Sequence, residues 1–455
     1  MMKRHSLVGR FGSDDRTRVK VFEKSGKTTN VELAKTPSKL GYGIGKFIDR
    51  LNKLSVFPNE TALDLMIIAA MVSAADSRVS RDRHAQDGWT REIDLYIPVH
   101  DLDMWAAQKL LLERMLGFLT GDIWRVFFRE RPKKYIKLLK NNDGFVPAPF
   151  DSASLFSGGL DSFIGAIDLL EAERNPLFVS HYSDGGTSNQ EYCLNQLAKT
   201  YGSFEHRVVR TRVKFPTDLV EPQGTENTSR GRSFLFFALA VLSASGLSDG
   251  AKVLVPENGL ISLNIPLDPL RIGANSTRTT HPFYMARWQE LLDNLGLDLR
   301  IENPYRFRTK GEMARGCANK SLLKKLAHTT ISCADITKHR WEGFGLIHCG
   351  HCVPCIIRRS ALNAGLGNDS SDYYLDDIKS SPIDSKTALG ENYRAFQLMA
   401  ERLRKKPDDA RVLVHKTGPL SDYDMSDQDA YADVFERGIA EVWRLVKHAK
   451  VKPLS

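Results

Sequence analysis

Residues 153–163 hold the first pattern of residue types that could do chemistry, Ala-Ser-Leu-Phe-Ser-Gly-Gly-Leu-Asp-Ser-Phe. An apolar run ends before Ser157, two glycines follow, and apolar residues at helical spacing begin at Leu160. Glycines let a backbone approach an anion closely, and the free N–H groups and dipole of a helix start favour phosphate. The pattern predicts a phosphate-binding loop between a strand and a helix. The alternative is an ordinary strand-to-helix turn with Asp161 and Ser162 in the first helical turn.

Four of the six cysteines form the second pattern. Cys349, Cys352 and Cys355 are separated by two residues each, and Cys333 lies upstream of them. Four thiolates suit a tetrahedral zinc ion, and a site filled by four protein ligands is structural. The spacing leaves three other interpretations open: an iron–sulfur cluster, buried free cysteines, and Cys317 instead of Cys333 as the fourth ligand.

Both patterns lie in a region, residues 146–370, where short apolar runs alternate with helical periodicity. The predicted strands are 153–156, 177–181, 206–210, 252–256 and 299–302, and the predicted helices are 160–173, 189–201, 232–246 and 283–295. This alternation predicts an α/β domain with a parallel sheet, whose ligands bind at the carboxyl ends of the strands.

The flanking regions are predicted to differ from this domain. Residues 1–145 are expected to form an N-terminal α+β module that begins with a hairpin, its strands at 18–22 and 30–33 and its turn at Ser25-Gly26. Residues 371–455 are expected to form a helical C-terminal region. Because both patterns lie between these regions, the flanks are expected to be dispensable for binding the ligand of the phosphate loop.

The composition, 42% hydrophobic and 26% charged, is that of an ordinary globular protein. No apolar run reaches the roughly 20 residues of a membrane span, and the N-terminal residues carry no apolar stretch, so we expect a cytoplasmic protein without a membrane partner. The net charge of +9 favours an anionic partner such as a nucleotide. Nucleic acid is possible but not favoured, because the basic residues are spread thinly.

Ser-Gly-Gly-Leu-Asp-Ser resembles the SGGxDS signature of the PP-loop ATP pyrophosphatases. The run from Cys349 to Ala361 is similar to the zinc knuckle of the 7-cyano-7-deazaguanine synthase (QueC) family, Cys-Gly-x-Cys-x-x-Cys-x-x-Arg-x-x-Ala, and Ser332-Cys333 resembles that family's upstream Ser-Cys pair. Thr-Lys-Gly-Glu at 309–312 resembles its Thr-Lys-x-Glu, whose lysine lies near the ATP phosphates. The resemblance covers about residues 150–370. It implies a PP-loop (HUP-like, Rossmann-type) domain that uses ATP, Mg²⁺ and a structural Zn²⁺.

The chain differs from that family in the segment with which the family recognises its base substrate, since the Tyr-Pro-Asp-Cys-Arg stretch is missing. Residues 257–264 and 276–282 stand in its place. With its added N-terminal module, the chain resembles the longer QueC-like proteins of anti-phage defence operons, the QatC type. This resemblance implies a protein partner encoded in the same operon.

The resemblance implies ATP-dependent adenylation of a carboxylate, of the 7-deazaguanine type, followed by attack of ammonia or of a partner-protein amine. The ATP-binding residues are then Phe156, Ser157, Gly158, Gly159, Leu160, Asp161 and Ser162. The catalytic residues are Asp161, Lys310 and Arg232, and the substrate-binding residues are Arg232, Glu257 and Arg278. Two alternatives remain: an RNA-modifying PP-loop enzyme of the tRNA thiolase or lysidine synthetase type, and a non-catalytic ATP-binding scaffold.

Overall fold

The computed structural model describes residues 4–22, 26–85, 87–139, 148–182, 187–202, 205–220, 226, 230–267, 278–334, 336–337, 342–343 and 347–453. Within these residues the chain is an α/β protein built on two larger parallel sheets. No described helix combines the length and apolar character needed to cross a membrane.

The N-terminal sheet has four parallel strands in the order β2-β1-β3-β4. These strands are β1 His5–Phe11, β2 Lys27–Ala34, β3 Glu92–Val99 and β4 Ile123–Glu130. The accompanying helices are α1 Ile44–Lys53, α2 Glu60–Arg78, α3 Arg81–His84, α4 Leu102–Ala107 and α5 Lys109–Thr120.

Two expectations for this region are wrong. The predicted α+β module is a parallel α/β unit, and the predicted hairpin does not form: residues 18–22 are not a strand, and β2 pairs in parallel with the upstream strand β1. Ser25 of the expected turn lies outside the described residues. A turn signal followed by a strand resembles a hairpin locally, whereas β2 pairs with β1, which also pairs with β3 and packs on helix α2.

The central sheet has five parallel strands in the order β7-β6-β5-β8-β9. The strands are β5 Ser152–Leu155, β6 Pro176–His181, β7 Val208–Thr211, β8 Ala251–Leu254 and β9 Leu299–Glu302. The helices between and after them are α6 Leu160–Glu171, α7 Thr187–Tyr201, α8 Arg232–Ala244, α9 Gly259–Leu263, α10 Pro282–Asn294, α11 Lys310–Gly316, α12 Lys320–Leu326 and α13 Val353–Leu366. Strand order reverses beside β5, which is where parallel α/β sheets bind their ligands.

One hydrophobic core joins the two sheets. Helices α2 and α8 pack against each other between them, and each is apolar around almost its whole circumference. A helix of that composition must be covered on all sides, so both faces are buried. The N-terminal region is therefore packed directly on the sheet that carries the phosphate-loop sequence.

The C-terminal region is helical, as expected. It comprises α14 Glu391–Lys405, α15 Asp409–Leu413 and α16 Met425–Val446, with a small parallel pair of strands, β10 Ile383–Asp384 and β11 Val451–Lys452. Helix α16 packs on α9, α13 and α14, and these helices share a second hydrophobic core. The helical region thus lies against the two elements that follow β8 and the cysteine run.

Candidate functional site

The loop at residues 157–159 joins β5 to α6 at the carboxyl edge of the central sheet. Gly158 has a φ of +79°, a conformation that residues with a Cβ rarely adopt. A Cβ on Gly158 would lie 3.0 Å from Cα of Gln190, and one on Gly159 would lie 3.1 Å from the carbonyl oxygen of Ile331. The two glycines are therefore needed for the close packing of this loop.

Two serine hydroxyls fix the shape of the loop. Oγ of Ser162 accepts a hydrogen bond from the backbone N–H of Ser157 (3.2 Å) and donates to the carbonyl oxygen of Gly159 (3.0 Å). The hydroxyls of Ser157 and Ser162 lie 3.1 Å apart, and Ser157 is exposed. Oγ of Ser157 also accepts from the N–H of Gly159 (3.2 Å). The motif therefore presents an exposed hydroxyl above a helix N-terminus, as an anion site requires.

Asp161, in the first turn of α6, forms a buried ion pair with Lys310. Nζ of Lys310 lies 2.6 Å from Oδ1 of Asp161, and both side chains are at most about one-tenth exposed. Oδ2 of Asp161 accepts from Nδ2 (2.7 Å) and from the backbone N–H (3.2 Å) of Asn258. Each oxygen of this carboxylate is thus bound by a different element. Asp161 therefore connects α6 to the N-cap of α9 and to the start of α11.

Lys310 is positioned by the start of α11. Thr309 and Glu312 form a capping box, in which Oγ1 of Thr309 accepts from the N–H of Glu312 (3.1 Å) and the Glu312 carboxylate accepts from the N–H of Thr309 (2.9 Å). Glu441 of α16 accepts from Oγ1 of Thr309 (2.7 Å) and from the N–H of Gly311 (3.0 Å). A Cβ at Gly311 would lie 2.2 Å from the Glu441 carboxylate, so glycine is required there.

Glu257 directly follows β8 and faces the same space as Asp161. Burial raises the pKa of Glu257 to about 7; the nearby Asp161 charge also raises it, whereas the Thr280 hydroxyl and Lys310 oppose the shift. Oγ1 of Thr280 donates a short hydrogen bond to Oε2 of Glu257. This carboxyl group can therefore exchange a proton near neutral pH.

The two candidate arginines lie in different places. Arg278 lines the same cavity as Glu257, donates to the carbonyl oxygen of Phe118 (2.9 Å), and stacks over the Phe118 ring at 4.8 Å. Arg232 begins α8, is exposed, and lies over the ring of Phe236 at 5.0 Å. Arg232 is not among the described residues that line the cavity.

A cavity of about 600 Å³ brings most of the predicted site residues together. Its lining includes Ser157, Gly159, Leu160, Asp161, Ser162, Glu257, Arg278, Lys310 and Cys333. Phe156 and Gly158 support the loop from behind: Phe156 is buried, and its carbonyl oxygen accepts from Oγ of Ser180 (2.7 Å). The volume lies within the range of roughly 300–1,000 Å³ that small-molecule and cofactor sites occupy.

The C-terminal region supplies one wall of this cavity, which the sequence did not suggest. Phe396 of α14, Phe435 of α16 and the intervening Lys416 and Thr417 line it. Oγ1 of Thr417 donates to the carbonyl oxygen of Leu263 (2.8 Å), at the end of α9. No local pattern marks Lys416 as a site residue, because only the docking of the helical region brings it to the cavity.

The four predicted cysteine ligands converge. The sulfur atoms of Cys333, Cys349, Cys352 and Cys355 all lie within 4.8 Å of one another. Two of the separations are 3.9 Å (Cys349 to Cys355) and 4.0 Å (Cys333 to Cys352). A tetrahedral zinc site with Zn–S bonds of about 2.3 Å needs sulfurs about 3.8 Å apart. The cluster is compatible with a structural metal ion such as zinc.

Cys317, the alternative fourth ligand, is not part of this cluster. It ends α11, is buried, and packs in the hydrophobic core around α6. Burial raises the pKa of its thiol to about 12, so it remains protonated.

Two residues connect the cysteine cluster to the loop. The N–H of Ile331 donates to the carbonyl oxygen of Gly158 (3.0 Å), and the N–H of Leu160 donates to Oγ of Ser332 (3.4 Å). Cys333 follows immediately. The cluster and the candidate phosphate site therefore share one short segment of chain.

Arg358, in the helix that carries Cys355, holds this segment from the other side. Its guanidinium is fully buried and donates to Oγ1 of Thr330 (2.7 Å) and to the carbonyl oxygen of Ala327 (2.5 Å). A buried guanidinium with this many acceptors fixes its surroundings strongly. The arginine of the cysteine motif thus positions the chain before Cys333.

Comparison with family models, with curated proteins and with solved structures finds no match to this chain.

Proposed function

We propose that the chain is a PP-loop ATP pyrophosphatase that activates a carboxylate as its acyl-adenylate. One observation carries the proposal: the serine–glycine loop, the Asp161–Lys310 ion pair and Arg278 line a single cavity. A helix N-terminus beside a lysine suits phosphate, and an arginine in the same cavity suits a carboxylate. The reaction then releases pyrophosphate and, after acyl transfer, AMP.

The residues divide into a phosphate end and a substrate end. At the phosphate end, the backbone N–H groups at the start of α6 and the ammonium of Lys310 bind the β- and γ-phosphates, with Asp161 orienting Lys310. Mg²⁺, when bound with ATP, neutralises phosphate charge. At the substrate end, Arg278 binds the carboxylate and brings it toward the α-phosphorus. Zn²⁺ held by the four cysteines stabilises the fold and takes no part in the reaction.

We infer the substrate and nucleophile from the resemblance to QueC-like proteins. The substrate is a carboxylate of the 7-deazaguanine type, and ammonia or an amine of a partner protein attacks the acyl-adenylate. Co-purification with the proteins encoded beside the chain tests this inference. A stable complex with a mass shift on one neighbour supports a protein amine, whereas conversion by ammonia alone supports a small-molecule synthase. The resemblance to the longer QueC-like proteins of anti-phage defence operons favours a role in anti-phage defence.

The decisive experiment is to follow pyrophosphate release from ATP in the presence of 7-carboxy-7-deazaguanine. Ser157→Ala removes an exposed hydroxyl, so it is expected to fold as the wild type but to lose about 10²-fold in release. Ser188→Ala, an exposed serine of α7 outside the cavity, is the matched control. If Ser157→Ala and Asp161→Asn both release pyrophosphate at the wild-type rate, the phosphate-site assignment is wrong.

A further inference from the structure

Three side chains form a hydrogen-bonded row that ends on Glu257. Nδ2 of Asn303 donates to Oγ of Ser262 (3.1 Å), Oγ of Ser262 lies 2.7 Å from Oγ1 of Thr280, and Oγ1 of Thr280 contacts Oε2 of Glu257. Thr280 has one hydroxyl hydrogen and donates it to the carboxylate, so Oγ of Ser262 is the donor in its bond with Oγ1 of Thr280. Each hydroxyl then donates toward Glu257, and the row stabilises the ionised carboxylate.

The backbone fixes Glu257 in this position. Nδ2 of Asn303 also donates to the carbonyl oxygen of Glu257 (2.8 Å), and the N–H of Glu257 donates to Oδ1 of Asn303 (3.3 Å). Among the described residues, no hydrogen bond is made to Oε1 of Glu257, and the residue lines the cavity. One carboxylate oxygen is thus anchored, while the other is left for a ligand.

Opposing charges surround this carboxylate. Asp161 raises its pKa and Lys310 lowers it, and Arg278 lines the same cavity. Burial raises the pKa of Glu257 to about 7, with Asp161 adding to the shift and the Thr280 hydroxyl and Lys310 opposing it; in this range a carboxylate can accept a proton and release it again. A carboxylate that only stabilised the fold would not need an oxygen without a hydrogen-bond partner on a residue that lines the cavity.

Acyl transfer to an amine requires such a proton acceptor. The amine nitrogen forms a bond to the acyl carbon, the bond from that carbon to the AMP oxygen breaks, and AMP leaves with the electron pair. The nitrogen must lose one proton to become an amide. Resting on the proposed adenylation, we propose that Oε1 of Glu257 takes this proton, so that Glu257 is the general base of the second half-reaction. The substrate-binding role predicted from the sequence is the alternative that the test distinguishes.

The test separates the two half-reactions in the full-length protein, with 7-carboxy-7-deazaguanine as the carboxylate. Carboxylate-dependent exchange of labelled pyrophosphate into ATP measures adenylation, and amide formation from ammonium chloride measures acyl transfer. Glu257→Gln is expected to lower amide formation by about 10²-fold or more, since general-base catalysis contributes about 10²–10⁴-fold. Exchange should fall less than about tenfold, because the first half-reaction moves no proton to this residue. At constant free ammonia, amide formation in the wild type should rise as the pH increases through about 7.

Two comparisons make the result more specific. Thr280→Val should lower amide formation and move its pH midpoint upward, because it removes a donor to the carboxylate, whereas Thr280→Ser should restore both. Glu302→Gln, a partly exposed glutamate at the end of β9 and outside the cavity, is the matched control.

The outcomes distinguish this role from the function on which it rests. If the wild type exchanges no pyrophosphate, the adenylation proposal fails and the role of Glu257 fails with it. If the wild type exchanges pyrophosphate but Glu257→Gln forms amide at the wild-type rate, only the general-base role is overturned. An equal loss in exchange and in amide formation also overturns it, and assigns Glu257 to substrate binding.

Discussion

Replacement of Cys333 by serine tests whether the cysteine cluster supports the proposed ATP site. A hydroxyl is a much weaker zinc ligand than a thiolate, so the variant should lose bound metal. The segment before Cys333 then loses its anchor, and with it the two hydrogen bonds that Ile331 and Ser332 make to the loop. At about 1 kcal/mol each, these bonds amount to about 2 kcal/mol. ATP binding should therefore weaken by about 30-fold.

The assay combines elemental analysis of zinc, which should be one ion per wild-type chain, with calorimetric titration of ATP. Cys317→Ser is the matched control, because Cys317 is buried outside the cluster and should retain full metal. Ser332→Ala removes one loop contact and leaves all four sulfurs in place. It should keep the metal and weaken ATP binding by about fivefold, the equivalent of about 1 kcal/mol.

Two results would refute this reasoning. A Cys333→Ser protein that has lost its zinc but binds ATP as the wild type does would show that the cluster and the loop are independent. A Cys333→Ser protein with full zinc, together with zinc loss in Cys317→Ser, would show that the ligand set is wrong. Thermal unfolding of each variant distinguishes local weakening from global loss of structure.

Gly158→Ala should destabilise the loop by about 1–3 kcal/mol, because Gly158 has a φ of +79° and the new Cβ would lie too close to Gln190. ATP titration and thermal unfolding measure this destabilisation. Lys416→Met should raise the KM for the carboxylate substrate at least about fivefold, because Lys416 lines the cavity and no described carboxylate pairs with it. Lys406 is an exposed lysine outside the cavity, so Lys406→Met should leave this KM unchanged. Arg91→Leu removes one of the two cations that pair with buried Asp122 and leaves buried Asp76 without a paired cation, so it should lower the free energy of unfolding by about 3–5 kcal/mol in urea denaturation.

The central sheet could be predicted closely from the sequence. The predicted strand at 299–302 coincides with β9, and the prediction at 252–256 overlaps β8 with its start one residue late. These strands are short apolar runs bounded by turns, so local composition determines them. The N-terminal sheet could not be predicted in the same way. Its first strand, β1, pairs with two strands that are distant in sequence, and no local pattern reports such pairing.

The same distinction between local sequence signals and contacts of distant segments applies to the site residues. Asp161, Lys310 and the cysteines lie in contiguous motifs, and the structure brings them together as expected. Asn258 could have been found, since asparagine is a preferred N-cap residue, and its side chain does cap α9. Thr280 and Lys416 carry no such signal.

The contacts of the C-terminal region argue against the expectation that this region is dispensable for ATP binding. Glu441 holds the turn that presents Lys310, and the fit at Gly311 leaves no room for another residue. Without α16, the start of α11 would lose two hydrogen bonds to a carboxylate, worth roughly 1.5–3 kcal/mol each. Lys416 and Thr417 close the opposite side of the cavity. A region that both positions Lys310 and completes the cavity wall is part of the candidate site.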